Sequence, residues 1–466
     1  MRVAASTFAV AALAACTPAR EPTGRAPPLT AADTVAAMAS ILRHVVQRDT
    51  TAAAVWPGFR LAGQPLFLTA EPNGPVMLVG DPAPPAEYRP LDARADVHVR
   101  AGPPPDSLRG LRIGLDWRGR GRRGTVYPFH HDNARHSLVH EAFHTFQRLG
   151  ASDGRFPGSG TPHFPDSSPS AVALLALEGR RLAAALDART EAEARSRARD
   201  ALALRRYRCA RLGARECRAQ RGVELVEGTA EYAAARTLRH DRPRWRDSLR
   251  AGLLEIDGAW DLRRGQYYQT GLAWLLLLER LAPVGWTTRA ERVAPDLVLA
   301  EVLGVARAEP PSRLGIELDP AWSDALAEGE RLVAGERWRR DSIQRAFDAQ
   351  PGLGVRIHWV PRGMRSTQRR LPPGGPPEDV VRFGGEGDVV VLRGQLPIEW
   401  GQVPPVLLAR SPVAGRVATV DGRAVPLDQA GATAIGAVVL DLPTVRVAFR
   451  SAELRVYTDS VVVRMR

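Results

Sequence analysis

Two histidines four residues apart give the strongest chemical signal in this sequence. His140 and His144 enclose Glu141 in the segment H-E-A-F-H. On an α-helix, residues i and i+4 lie on one face about one turn apart, so both imidazole rings can reach a single metal ion. Glu141 lies about 100° around the helix from His140, where its carboxylate can meet a water molecule on that metal. The motif therefore predicts a metal centre with a carboxylate base beside it.

A second acidic motif, V-E-G-T-A-E-Y, offers carboxylates for the same metal. Its two glutamates, Glu227 and Glu231, are four residues apart and therefore share one face of a helix. A catalytic zinc takes three protein ligands and keeps a fourth position for water. One carboxylate can therefore ligate while the other hydrogen-bonds a ligand histidine from behind. Glu224, three residues before Glu227, is an alternative ligand if the helix has a different register.

Three motifs in this order resemble those of the gluzincin metallopeptidases. H-E-x-x-H is followed by E-G-x-A-E-Y and then by Y-x-x-G at the start of an apolar helix. The pattern is most similar to the aminopeptidase N type, whose third zinc ligand lies in N-E-G-F-A and whose transition-state tyrosine lies in Y-E-K-G. By position, the resemblance implies that Glu227 is the ligand and Tyr268 the catalytic tyrosine, with Tyr267 as its neighbouring alternative. Glu231 matches the acidic residue one turn after the ligand in thermolysin-like members.

The resemblance implies a zinc-dependent peptidase that acts on a peptide or protein substrate. One Zn²⁺ per chain would be held by His140, His144 and Glu227. Glu141 would take the proton of the attacking water and return it to the leaving amine. Tyr268 would donate a hydrogen bond to the developing oxyanion.

Two departures limit what the resemblance implies. His144 and Glu227 are 83 residues apart, a longer connection than in the named families, and the exopeptidase motif G-A-M-E-N is absent. The direction of cleavage therefore stays open. The alternative function is a non-catalytic binding lipoprotein, a zincin scaffold without turnover whose β domain binds glycan or a protein partner.

The long connection contains Cys209 and Cys217. On one continuous helix these two residues would lie about 12 Å apart along the axis, too far for a disulfide. A disulfide therefore requires a turn between them, which Leu212 and Gly213 can provide. Two free thiols are the alternative.

The N-terminus has the pattern of an export signal. Residues 3–15 are apolar apart from Ser6 and Thr7, and this stretch is too short to span a bilayer. It ends in L-A-A-C, which resembles the lipobox of bacterial lipoproteins and implies a lipid on Cys16. We therefore expect a protein anchored in the cell envelope, on the periplasmic side or at the outer membrane; a secreted protein is the alternative.

The formal net charge of +13 raises nucleic acid as a partner, but the residue types favour another explanation. All 64 basic residues are arginine, whereas phosphate-binding surfaces normally use lysine as well. No specific nucleic-acid partner is expected. His130, His131 and His136, just upstream of the histidine motif, are interpreted as part of a solvated loop; the alternative is that they line the cleft or bind adventitious metal.

The order of periodic segments predicts an α+β fold. A zincin-like mixed sheet and a mostly helical catalytic region should precede an all-β C-terminal domain. The predicted boundaries are a lipoprotein signal peptide at 1–15, a tether at 16–30, the metallopeptidase region at 31–350 and a β-sandwich-like domain at 351–466. Within the metallopeptidase region, 31–133 is the α/β part and 134–350 the helical part.

Overall fold

A computed structural model describes residues 30–465 with gaps. The gaps are residues 71–73, 95, 109–110, 119–121, 130–132, 158–167, 240–243, 257–264, 283, 306–314, 317–318, 349–352, 359–366, 371–377, 383–388, 394–405, 412–416, 428–429, 442–444 and 458–459. The predicted signal peptide, Cys16 and the tether up to residue 29 lie outside the described residues, as do His130 and His131.

Two helices open the described chain. Helix α1 (Ala31–Gln47) begins where Thr30 and Asp33 each accept a hydrogen bond from the other's backbone amide. Helix α2 (Asp49–Val55) follows after one residue. The Asp49 carboxylate accepts hydrogen bonds from the amides of Leu61 at 2.5 Å and Ala62 at 2.9 Å. These bonds tie the second helix to the segment that leads into the first sheet.

The first sheet has six strands and is mixed. Its spatial order is β3-β4-β2-β1-β6-β5, with β1 and β6 parallel and the other neighbours antiparallel. The central strand β1 has the sequence L-F-L-T and is buried along its whole length, so the sheet is covered on both faces there. The strands are β1 (Leu66–Thr69), β2 (Val76–Val79), β3 (Arg89–Pro90), β4 (His98–Arg100), β5 (Arg112–Trp117) and β6 (Arg122–Pro128).

A helical region follows the sheet. Helix α3 (Ala134–Gly150) packs against β5 and β6 on one side and against α7 (Thr229–Thr237) on the other. The apolar run at 272–278 lies in α9 and is buried throughout, so this helix passes through the core. The helices are α3 (Ala134–Gly150), α4 (Pro169–Leu186), α5 (Glu191–Leu212), α6 (Ala214–Val223), α7 (Thr229–Thr237), α8 (Trp245–Leu254), α9 (Gln266–Leu281), α10 (Trp286–Ala290), α11 (Pro295–Val302) and α12 (Trp322–Asp348).

The segment with the acidic motif is one continuous helix interrupted by a wider turn. A π-helical turn (Glu224–Gly228) joins α6 directly to α7. Before it, the chain reverses between α5 and α6 at Gly213, whose φ of 86° favours glycine. The reversal brings Cys209 and Cys217 to a Cα separation of 5.2 Å, and the two form a disulfide.

The C-terminal strands form a second, separate sheet. Ten strands between residues 353 and 465 belong to one hydrogen-bonded sheet, in which all neighbours are antiparallel except β16 and β7. They are β7 (Leu353–His358), β8 (Thr367–Arg370), β9 (Glu378–Arg382), β10 (Val389–Arg393), β11 (Val406–Ser411), β12 (Val417–Val420), β13 (Arg423–Pro426), β14 (Thr433–Asp441), β15 (Val445–Val456) and β16 (Ser460–Met465).

The fold is thus mixed α/β, with helices, two sheets and a separate C-terminal β region. This agrees with the order of elements predicted from the sequence. Within the part of the chain described, no helix is both long enough and apolar enough to cross a membrane.

Candidate metal centre

Helix α3 turns both histidines of the first motif inward. Its apolar face, which includes Leu138, Val139 and Phe143, is fully buried and packs the helix into the core. His140 and His144 are only 5% and 8% exposed, and their ring centroids are 4.7 Å apart. Both imidazoles therefore lie in a protected site next to the sheet.

The π-helical turn places Glu227 against these two rings. The Nε2 atoms of His140 and His144 are 3.0 Å apart. Oε2 of Glu227 lies 3.0 Å from Nε2 of His144 and 3.4 Å from Nε2 of His140. The structure thus brings the three predicted ligands together, with one atom of each at the corners of a small triangle.

The opposite nitrogen of each imidazole has its own acceptor. Nδ1 of His140 lies 3.1 Å from a carboxylate oxygen of Glu231, and Nδ1 of His144 lies 2.6 Å from Oε1 of Gln147. The amide orientation of Gln147 is fixed, because its Nε2 donates to the Val226 carbonyl at 2.8 Å and to Thr229 Oγ1 at 2.7 Å. Each Nδ1 proton therefore has an acceptor, and both Nε2 atoms face Glu227, where a metal can reach them.

This donor set fits a metal cation. Two imidazole nitrogens and a carboxylate oxygen this close together need a positive charge between them. A proton supplies it in the metal-free protein, since, despite burial, hydrogen bonds to Glu227 and Glu231 raise the pKa of His140. A metal cation can take the place of this proton. A tetrahedral zinc with bonds of about 2.0–2.1 Å holds its ligand atoms about 3.3 Å apart, close to the separations observed here. Two nitrogens and one oxygen are ligands that zinc accepts, and a three-residue set leaves the fourth position open.

Glu231 bridges two histidines behind the ligand atoms. Its Oε1 lies 2.8 Å from Nε2 of His136, and its other oxygen accepts from His140. Burial would raise the pKa of Glu231, but the charge of His136 and hydrogen bonds from both histidines hold it well below its usual range. Burial would lower the pKa of His140, but hydrogen bonds to Glu227 and Glu231 raise it well above its usual range.

The position of His136 corrects one expectation from the sequence. The preferred interpretation of the histidines before the motif is a solvated loop, but His136 lies in the first turn of α3 and its side chain is only 15% exposed. For this residue the position beside Glu231 fits the alternative, in which it lines the cleft. It is one turn before His140 on the same face of the helix, so both can reach Glu231.

Glu141 lies beside the ligands without joining them. Its side chain is half-buried, and its Oε2 is buried with no hydrogen-bond partner among the described residues. Its negative charge acts on His140, which places the carboxylate close to the site. A buried carboxylate oxygen without a partner is available to a water molecule or a substrate.

The two neighbouring tyrosines of α9 face different surroundings. The Tyr268 ring is stacked on His140, with centroids 5.8 Å apart and planes within 8° of each other. Tyr267 is fully buried in the core around α4, and this burial raises the pKa of its hydroxyl. The structure therefore puts Tyr268, rather than Tyr267, at the metal centre.

Glu224, the alternative ligand, faces away from the histidines. It is fully buried and accepts hydrogen bonds from Arg205 and Thr270. The register of the π-helical turn therefore selects Glu227 for the metal centre.

No family model, curated protein or solved structure matches this chain. The functional assignment therefore rests on the chemistry and geometry of the metal centre.

Sequence reasoning missed Gln147 and the role of Thr229. Gln147 follows His144 by three residues and so shares its helical face, which is a signal that could have identified it. Thr229 has no comparable signal, since it reaches Gln147 only because α3 and α7 pack side by side.

Proposed function

We propose that this protein is a zinc-dependent peptidase of the gluzincin type with a zincin-like catalytic region. The observation that supports it most directly is the convergence of two imidazole lone pairs and the Glu227 carboxylate on one buried point. Two histidines and one glutamate with a fourth position left open are a ligand set that catalytic zinc uses. When bound, it would act as a Lewis acid on the substrate carbonyl and make a bound water more acidic.

The side chains around the ligands suit the steps of peptide hydrolysis. Glu141 has a free carboxylate oxygen with which to accept a proton from the attacking water and pass it to the leaving amine. Tyr268 is placed to donate a hydrogen bond to the substrate oxygen that gains negative charge. Glu231 and Gln147 hold the two ligand histidines in the tautomer that ligation needs.

The decisive experiment compares zinc binding with hydrolysis in Glu141→Gln. We expect the purified wild type to bind one zinc per chain and to cleave members of a mixed fluorogenic peptide library. The variant should keep its zinc, since Glu141 is not a ligand, and should lose activity by about 10²–10⁴-fold. Glu330→Gln, the same change on the exposed face of α12, should retain both zinc and activity.

Two outcomes would reject the proposal. A wild-type protein that folds but takes up no zinc would remove the metal centre. A zinc-loaded wild type that cleaves no peptide would favour the alternative, a non-catalytic zincin scaffold whose β region binds glycan or a protein partner.

We also propose that a lipid on Cys16 anchors the protein in the cell envelope. The support is the sequence L-A-A-C at the end of a short apolar segment. Labelling of expressing bacteria with a radioactive fatty acid should mark the wild type. Cys16→Ser should abolish the label and release the protein from the membrane fraction, and a label that persists would refute the anchor.

A further inference from the structure

The helix that bears Tyr268 touches the turn that bears Glu227 through two glycines. A Cβ atom on Gly228 would lie 2.6 Å from the Cα of Gly271, and one on Gly271 would lie 2.8 Å from the Glu224 carbonyl oxygen. The two backbones are therefore in direct contact. This contact sets the distance between the two helices, whereas a directional hydrogen bond beside it would also fix the rotation of α9 about its axis.

Thr270, next to one of these glycines, supplies such an interaction. Its Oγ1 donates a hydrogen bond of 2.6 Å to Oε1 of Glu224, and both residues are fully buried. Residues 268 and 270 point about 200° apart around a helix, so this bond holds the face of α9 opposite Tyr268. Rotation or translation of α9 relative to the ligand turn would therefore break it.

Glu224 is in turn held by a buried ionic network. Arg205 of α5 donates to Glu224 and pairs with Glu178 of α4 at 2.8 Å, and all three side chains are fully buried. Arg208 pairs with the other oxygen of Glu178 at 2.8 Å. The Arg205 guanidinium also lies 5.6 Å from the ring centroid of Trp274, one turn beyond Thr270 on α9.

The network lies in the connection between His144 and Glu227. Helices α4, α5 and α6 occupy that stretch, and the first two carry the buried charges that hold Glu224. Two arginines and two glutamates balance in charge, which makes their burial tolerable. The long connection thus provides a rigid support behind the metal-ligand turn.

We propose that Thr270, held by Glu224, is a positioning residue that fixes the hydroxyl of Tyr268 relative to His140. This inference rests on the proposed peptidase function for its kinetic consequence, but not for its structural one. A displacement of about 1 Å at a reacting group can lower the rate about 100-fold, so loss of the hydrogen bond should lower kcat measurably.

Thr270→Val tests the hydrogen bond without changing the volume of the side chain. We expect zinc content to stay at one per chain, KM to change less than about twofold, and kcat to fall about tenfold. Thr270→Ser restores the hydroxyl and should restore kcat, while Thr270→Ala serves as a second variant if valine disturbs folding. Thr237→Val is the matched control, because this buried threonine of α7 has no hydrogen-bond partner among the described residues.

A double-mutant cycle separates positioning from general destabilisation. If Thr270 acts through Tyr268, Thr270→Val should cause no further loss of kcat in a Tyr268→Phe background. An equal loss in both backgrounds, or a loss that Thr270→Ser does not restore, would overturn the inference.

A measurement without substrate distinguishes this inference from the proposed function. In zinc-loaded protein with ¹³C-labelled histidine, the ring current of Tyr268 should shift the His140 signal. Thr270→Val should move that signal and Thr237→Val should leave it in place. If the wild type cleaves no peptide, the peptidase proposal fails while this shift still decides the inference. A His140 signal that is identical in Thr270→Val and wild type would refute it.

Discussion

Single residues behind the ligands determine how well the metal centre is formed. Gln147 donates to two acceptors on the neighbouring helix, so its carbonyl oxygen is left facing Nδ1 of His144. Glu231 has the same effect on His140 through a charged oxygen. Each of the two imidazoles is thus held in the orientation that ligation would need, which would reduce the entropy that metal binding must overcome.

Replacement of Gln147 tests this orientation. Gln147→Met keeps the length of the side chain but leaves the Nδ1 proton of His144 buried without an acceptor. We expect the zinc dissociation constant, measured by competition with a chelator, to rise about 10–100-fold. Gln64→Met replaces a buried glutamine whose side chain bonds the Arg60 carbonyl, away from the two histidines, and it should leave zinc affinity unchanged. Equal affinity in both variants would contradict the role of Gln147.

The paired tyrosines of α9 allow a comparison of neighbours. Tyr268→Phe removes a hydroxyl at the metal centre and should lower kcat by about 10²–10³-fold without loss of zinc. Tyr267→Phe removes a hydroxyl from the core around α4 and should leave kcat unchanged. Steady-state kinetics on one peptide substrate checks both. The reverse ranking would transfer the catalytic role to Tyr267.

For single residues, the sequence predicts the candidate metal ligands better than it predicts the residues that hydrogen-bond to those ligands. The spacing of His140 and His144 is enough to predict that both rings lie on one face of a helix. In the structure, Glu227 lies 3.0 Å from His144. Gln147 and His136 depend on contacts with residues 79 and 95 positions away in sequence. No local pattern reports such contacts, since they arise only when α3 and α7 pack together.

Among the elements, the π-helical turn and its contact with α9 define the site. The glycines of the two motifs, Gly228 and Gly271, face each other where the helices cross. A π turn adds one residue to a helical turn and so changes which side chains face the neighbour. That extra residue lets Glu224 face the buried network while Glu227 faces the histidines.

Gly228→Ala should disrupt this crossing. The added methyl group would lie 2.6 Å from the Cα of Gly271, so the helices must separate. We expect the free energy of unfolding, measured with urea, to fall by about 1–3 kcal/mol. Gly335→Ala makes the same change on α12, where nothing lies within 4 Å, and should raise stability by about 1 kcal/mol. Similar effects of the two substitutions would contradict the close contact.

Periodicity predicted the regular elements and failed where elements are very short. Helical periodicity over residues 31–47 predicts a helix there, which agrees with α1. The pair Asp421-Gly422 between two runs rich in valine predicts a hairpin, which agrees with β12 and β13, and both turn residues have positive φ. Strands β3 and β4 were not predicted. Two and three residues are too few to show alternation. They are strands only because β4 pairs with β2 and β3 pairs with β4.

In the whole molecule, the metal centre joins distant parts of the chain. His144 and Glu227 are 83 residues apart and belong to helices that pack on each other beside the first sheet. A metal that binds only the folded arrangement stabilises it by a free energy that rises with the logarithm of the metal concentration above the dissociation constant. Thermal stability should therefore report on the metal centre without any knowledge of substrate.

The gain in stability from zinc should increase with pH. In zinc-free protein, burial disfavours the charged His140, but hydrogen bonds to Glu227 and Glu231 raise its pKa well above its usual range. A pKa raised by folding stabilises fully below the unfolded value of about 6.5, and this contribution is lost as pH rises through the folded value. Zinc must displace that proton, so proton competition weakens as pH rises.

We therefore expect opposite trends for the two forms of the protein. Between about pH 6.5 and 8.5, zinc-free protein in chelator should lose stability relative to the zinc form, and the difference in Tm should widen. The limiting slope is about 1.4 kcal/mol per pH unit for one displaced proton. His98→Gln, outside the metal centre, should leave both curves unchanged, and Mg²⁺ should not replace zinc because it prefers oxygen ligands. A zinc-induced gain that stays constant or shrinks with rising pH would show that zinc binding displaces no proton from His140.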